Sequence, residues 1–287
     1  MRVCLLGTLA IAATLWGSVA RAEPVPFHRY LYQGWSTAAG LPQISVNAMT
    51  RDASGLLWAG TEDGLARFDG SEFEDLSGEL RALTATSWVT ALRHDARDRV
   101  WVGTLNGVVI AERGLLHAVP VEGPLTPGKV NAIAQDPAGR VCVAAQQLWC
   151  TLGDRLVAER DWKGEATALL GTADALWVAG GGKLLRHARG REAETPGLPD
   201  LLAGARINAL AHDGTRLWIG STAGLWVLEG DGAPTPVAGP ASSEVRALAV
   251  DPRGTVWAST LEAVYRFDGA RMIERLPDSG PWPRRRR

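Results

Sequence analysis

One stretch, Val46–Gly70 with the sequence VNAMTRDASGLLWAGTEDGLARFDG, is written six times along the chain, and nothing else constrains the fold as much. The copies start at Val46, Val89, Val130, Ala166, Ile207 and Val245. Each opens on an apolar residue, a variable residue, an alanine and a large aliphatic, as in Ala48-Met49 and Ala209-Leu210. A turn follows, then a short apolar run carrying Trp58, Trp101, Trp177, Trp218 or Trp257, with Cys142 at that place in the third copy. The period is about forty residues, the range of propellers and solenoids.

The punctuation inside each copy is that of a small antiparallel sheet. Asp52-Ala-Ser-Gly55, Asp136-Pro-Ala-Gly139 and Asp251-Pro-Arg-Gly254 read as type I turns. In such turns Asp bonds its own backbone, Pro presets φ and Gly tolerates the exit. The apolar run Leu56–Gly60 reads as a strand covered on both faces, and Asp69-Gly70 as a hairpin signal into Glu72–Leu76. Four strands in about forty residues make one propeller blade. The expected fold is therefore all-β, six four-stranded blades, closed or as an incomplete seven-bladed ring. The repeated alanines fit innermost strands that converge on an axis.

Met1–Ala22 has a lone early Arg2, an apolar run and Ala20-Arg21-Ala22, the marks of a secretory signal with its cleavage site. Its removal leaves 265 of 287 residues and, with the loss of Arg2 and Arg21, takes the formal charge from −1 to −3. That segment predicts a periplasmic protein. Residues 23–45 hold an expected strand, Phe27–Trp35, and a Gly-Leu-Pro loop; 46–276 hold the repeats, with a last strand expected at Ala270–Leu276. Residues 277–287 end in the basic run Arg284–Arg287. Four arginines in a solvated tail do not make a nucleic-acid surface, so nucleic acid is excluded as a partner.

The run W-x-T-x-x-G-L-P-x-x-S-V from Trp35 to Val46, followed by D-x-x-G-x-L-W-x-G-T-x-x-G-L-x-R-F-D-G, resembles the two-component regulator propeller repeat. Matching residues include Trp35, Thr37, Gly40-Leu41-Pro42, Gly55, Trp58, Gly60-Thr61, Gly64-Leu65 and Arg67–Gly70. The resemblance covers nearly the whole chain after the signal. It implies the periplasmic sensor region of hybrid histidine kinases and diguanylate cyclases. In that family two seven-bladed propellers precede a small β-domain, a membrane helix and a cytoplasmic signalling module. Six copies are present here, and no residue of the chain could perform kinase or cyclase chemistry, so the chain is expected not to be an enzyme. Membrane attachment is expected only through a further segment downstream.

Chemistry within the repeats is sparse. His28, His94, His117, His187 and His212 are scattered, without metal-ligand spacing, and no metal or cofactor is implied. His94 and His212 are expected in the turn after the first strand. Gly180-Gly181-Gly182-Lys183 lacks the spacing of a phosphate loop and reads as a blade turn. The variable second residue of each copy belongs at the channel mouth: Asn47, Thr90, Asn131, Thr167, Asn208 and Arg246. Six polar side chains, one per blade, form a ring suited to a small polar ligand such as a carbohydrate. The bland alternative is that they bond the neighbouring blades. A protein-binding scaffold and, more weakly, an enzyme like the streptogramin lyases, which use similar blades, are the competing functions.

In the third copy, setting Ala144 opposite Leu148 as Gly60 faces Leu65 puts Cys142 directly opposite Cys150. Opposed residues on antiparallel strands lie within disulfide reach, and an oxidising compartment permits the bond.

Overall fold

The computed structural model describes residues 26, 33–123, 126–159, 162, 164–188, 191–194, 198, 200–240 and 243–277. The chain divides into Met1–Tyr30 and Leu31–Arg287, and the second unit holds all six repeats. Each repeat is one antiparallel sheet whose four strands pair in chain order.

Blade 1 is β1 (Val46–Arg51), β2 (Leu57–Thr61), β3 (Gly64–Phe68) and β4 (Phe73–Asp75), followed by helix α1 (Ser77–Thr84). Blade 2 is β5 (Val89–His94), β6 (Val100–Thr104), β7 (Gly107–Glu112) and β8 (Leu115–Ala118). Blade 3 is β9 (Ala132–Gln135), β10 (Val141–Ala144), β11 (Leu148–Leu152) and β12 (Arg155–Ala158). Blade 4 is β13 (Ala168–Gly171), β14 (Leu176–Gly180), β15 (Lys183–Ala188) and β16 (Arg191–Glu194), then α2 (Asp200–Ala203). Blade 5 is β17 (Ile207–His212), β18 (Arg216–Ser221), β19 (Gly224–Glu229) and β20 (Thr235–Pro236). Blade 6 is β21 (Ala247–Val250), β22 (Val256–Ser259), β23 (Ala263–Asp268) and β24 (Arg271–Pro277). The last strand thus begins one residue after its expected start.

The turns after the innermost strands are built as their sequence dictates. In blade 2 the Asp95 carboxylate takes the backbone amides of Arg97 and Arg99, while its second oxygen takes the indole of Trp101 at 2.8 Å. The same indole bond joins Trp58 to Asp52 at 2.8 Å and Trp218 to Asp213 at 2.9 Å. One carboxylate therefore folds the turn and locks the β2-type strand beside it. In blade 3, where cysteine replaces tryptophan, Asp136 bonds the guanidinium of Arg140 at 2.8 Å instead. At the opposite end the β2–β3-type hairpins of blades 1, 2, 5 and 6 are tied by a hydroxyl: Thr61, Thr104, Ser221 and Thr260 donate to the carbonyls of Gly64, Gly107, Gly224 and Ala263.

Consecutive blades interlock by a knob and a hole. The first residue of a repeat presses against a residue of the preceding β2-type strand. A Cβ on Gly60 would lie 2.2 Å from Val89 Cγ1, and one on Gly103 would lie 2.5 Å from Val130 Cγ1. Only glycine admits that approach. Around these contacts five apolar cores form, each shared by two successive blades from 1–2 through 5–6. Among the described residues no such core joins blade 6 to blade 1. Val46 and Met49, the knob and the large aliphatic of blade 1, are 39 % and 64 % exposed, whereas Val89 and Leu210 at the matching places are 0 % and 8 %. The first and last blades are thus not packed together as the others are.

Two expectations need correction. Gln33–Trp35, the described part of the expected strand Phe27–Trp35, forms no strand; Trp35 instead packs edge-on against Phe68 with ring centroids 4.8 Å apart. The remainder of that stretch, and the signal 1–22, lie outside the described residues. The physical reason is local: Thr37–Ala39 forms a 3-10 turn capped by Ser36 and closed by Gly40 at φ 91°, which turns the chain before blade 1. Helix α1 was not expected at all. Its start is fixed by Asp75, whose carboxylate accepts the Ser77 amide at 2.8 Å, and Leu80 buries its side chain completely between blades 1 and 2.

Candidate functional site: the channel mouth

The candidate ring residues owe their direction to a local irregularity. In blades 1, 2 and 5 the innermost strand carries a β-bulge, with Val46 opposite Thr61 but Ala48 already opposite Gly60. Asn47, Thr90 and Asn208 are the extra residues, and a bulge re-aims the side chain it carries.

Three of the six ring side chains reach the following blade. Asn47 Nδ2 donates to the Val89 carbonyl at 3.0 Å, Asn131 Nδ2 to the Ala166 carbonyl at 2.8 Å, and Asn208 Nδ2 to the Val245 carbonyl at 3.1 Å. Each acceptor belongs to the knob residue of the next repeat. The asparagines are therefore clips between blades, each contributing about 1 kcal/mol. Thr167 is buried and its hydroxyl donates within its own blade, to the Ala179 carbonyl at 3.2 Å. Arg246 is exposed, and its backbone amide pairs with Ser259. The Thr90 hydroxyl is buried and has no partner among the described residues. The structure thus does not bring the six into one equivalent ring.

It does gather three of them. Asn47, Thr90 and Asn131 line a cavity of about 300 Å³ with Trp88, Leu105 and Lys129. Its frame is main chain: Leu105 N–H donates to the Trp88 carbonyl at 3.3 Å, Gly107 N–H to Gly128 at 2.8 Å, and Val130 N–H to Thr104 at 2.9 Å. The hairpin tip of blade 2 is thereby fastened both to the approach of its own innermost strand and to that of blade 3. Trp88 and Leu105 remain 39 % and 38 % exposed.

Trp88 and Lys129 stand just before the knobs of their repeats, a position the sequence reasoning passed over. From blade 3 onward that position alternates in charge: Lys129, Glu165, Arg206, Glu244. Glu165 takes both the Asn131 amide at 2.9 Å and Arg206 at 3.2 Å, and Glu244 takes the Asn208 amide at 3.1 Å. The alternation was the legible signal. Of its two acidic members, Glu165 is paired with Arg206, while Glu244 is met among the described residues by the neutral Asn208 amide.

The other candidates separate. His94 and His212 end their strands rather than sitting in the turns; His94 Nε2 lies 2.9 Å from Asp98, and His212 Nδ1 accepts the Gly214 amide. His117 and His187 lie on outer strands of blades 2 and 4, and His28 is outside the described residues. Among the described residues no group of three or more His, Cys, Asp or Glu side chains is placed to hold a metal ion. Gly181 and Gly182, at φ 58° and 72°, make the hairpin turn between β14 and β15. Cys142 and Cys150 stand directly opposite in register, Cα atoms 4.1 Å apart, with sulfurs bonded at 2.03 Å.

Six four-stranded blades in succession define the class: a six-bladed β-propeller. No family model matches the chain, and no curated protein matches it. Among solved structures it is similar to the extracellular domain of a hybrid two-component system, BT4673, from B. thetaiotaomicron. That match has 19 % identity and a TM-score of 0.68, covering 82 % of this chain and 33 % of that one. A streptogramin B lyase is similar at 15 % identity and TM-score 0.66, over 84 % and 85 % of the two chains. The WD40 propeller domain of Doa1 follows at 11 % and 0.62, over 82 % and 83 %. At such identities the likeness is one of fold. The chain spans about a third of the length of the two-component extracellular domain.

Proposed function

We propose that this propeller is a periplasmic sensing module of a two-component-type receptor that binds a small polar ligand at its channel mouth and performs no chemistry itself. The observation that carries the reading is the mouth cavity between blades 2 and 3. It combines an exposed indole, a buried hydroxyl without a partner among the described residues and two amide side chains on a frame fixed by backbone hydrogen bonds. A concave site with a few convergent polar groups and an apolar wall is what small-molecule binding requires. The likeness to an extracellular domain of a two-component system supports the address and the role. None of the described histidines lines the cavity, which favours binding over acid–base catalysis.

The test is a thermal-shift screen of the mature protein against mono- and disaccharides and small organic acids. A ligand that raises the melting temperature of the wild type should fail to do so with Trp88→Ala and Thr90→Val. It should still do so with Leu115→Ala, which alters an exposed residue on the outer strand of blade 2. Hits that survive both mouth substitutions would place the ligand elsewhere and end the proposal.

A further inference from the structure

Resting on the mouth as the ligand seat, we infer that the cavity selects a ring-bodied organic acid, its carboxylate meeting Lys129 and its ring lying on Trp88 and Leu105. The charges of the mouth are unequally satisfied. Arg206 is paired with Glu165 at 3.2 Å, and Arg81 of helix α1 with Asp63 at the blade 1 hairpin at 3.2 Å. Lys129 lines the cavity and makes no ion pair or side-chain hydrogen bond with any described residue. No acidic residue lines the cavity with it.

A lone lysine on an open surface signifies little, because water solvates it fully. This lysine shares its cavity with two exposed apolar side chains on neighbouring loops. A ligand covering the indole and the leucine displaces water from beside the ammonium, and a charge partner gains strength as the local dielectric falls. An indole favours a flat or ring-shaped body, which gains area at little conformational cost. Thr90 lines the wall with a buried hydroxyl that has no partner among the described residues, and a ligand meets it when that side chain turns outward. Asn47 is the second polar group, because its Nδ2 is held by Val89 while its Oδ1 bonds no described residue. The cavity thus offers one cation, one aromatic plane and two polar contacts. A neutral ring would leave the cation desolvated and unpaired, which is the penalty that creates selectivity.

The chemistry does not distinguish a sugar acid from an aromatic acid, and matched pairs do. Binding is measured on the mature protein by calorimetry with galacturonate against galactose, and with benzoate against benzyl alcohol. The acid of at least one pair should bind about five-fold or more tighter than its neutral partner, weakening as salt rises. Lys129→Gln should abolish the preference without changing the melting temperature of the unliganded protein, since this side chain is exposed. The pair that responds identifies the source of the carboxylate. Three results overturn the inference: no acid binds, the neutral partner binds equally well, or Lys129→Gln leaves the preference intact. Binding of galactose that is lost in Thr90→Val but indifferent to Lys129 would refute the acid while leaving the seat standing.

Discussion

The Trp101 indole donates to the Asp95 carboxylate at 2.8 Å where both residues are almost wholly buried, at 1 % and 2 % exposure. Arg99 closes the arrangement, its guanidinium bonding the same carboxylate oxygen and lying 5.3 Å from the indole centroid. One side chain thus ends the innermost strand, orders the turn and fixes the aromatic of the next strand. Replacing Asp95 by Asn should cost about 2 kcal/mol, the worth of buried hydrogen bonds to a charged acceptor. Asp231→Asn, at an exposed loop, should stay within about 0.5 kcal/mol. Urea denaturation measures both; equal effects would show that the indole bond contributes nothing.

The same carboxylates set the response to acid. Burial pushes Asp95 up, but the bonds from Trp101, Arg99 and the backbone outweigh it and leave the group below its ordinary value. Asp52, Asp213 and Asp251 are lowered by the same contest between burial and hydrogen bonds. A carboxylate with a folded value below its unfolded one stabilises the protein fully above the unfolded value. That contribution is lost as pH falls through the folded value. Melting temperature should therefore hold from neutrality down to about pH 5 and fall below about pH 4. A decline already complete at pH 6 would assign the dependence to histidine instead.

Cys142 and Cys150 close a short loop across β10 and β11, inside the core shared by blades 3 and 4. Alkylation of the non-reduced, denatured protein should find no free thiol at Cys142 or Cys150. Replacing both cysteines by alanine should cost about 2.5 kcal/mol from the loop-closure term. Two alkylated cysteines in the native protein would remove the bond.

Equivalent residues should behave unequally at the ends of the blade series. Val89→Ala removes a fully buried knob and should cost about 2 kcal/mol from transfer and cavity terms together. Val46→Ala and Met49→Ala alter the matching surface of blade 1, which is exposed, and should cost less than about 0.5 kcal/mol. Comparable losses at Val46 and Val89 would mean that blade 1 is packed in solution as the inner blades are.

The blades were legible because their signals are local. Asp-x-x-Gly turns, a short apolar run with tryptophan and a Gly-Leu hairpin exit each act within a few residues, and six copies leave little freedom of interpretation. The cysteine register followed from the same hairpin counting. Helix α1 was missed because its signal, Asp75 ahead of Leu76, Leu80 and Leu83, falls between repeats where no periodicity marks it. The direction of Asn47 was only half legible: its place at the mouth follows from the repeat, but the bulge that turns it toward Val89 depends on pairing with β2.

The sequence by itself thus determined the number of blades, their strand content, their turns and the opposition of Cys142 and Cys150. All of these rest on interactions within one repeat. Tertiary structure alone decided which polar residues of the mouth are already bonded and which remain available. Asn131 and Thr90 occupy the same place in their repeats, yet one clips two blades and the other has an unpartnered hydroxyl. It also decided that Trp88, Leu105 and Lys129 share one cavity, and that Val46 stays exposed where Val89 is buried. These outcomes depend on how neighbouring blades meet, and no repeat carries within itself the surface that its neighbour presents.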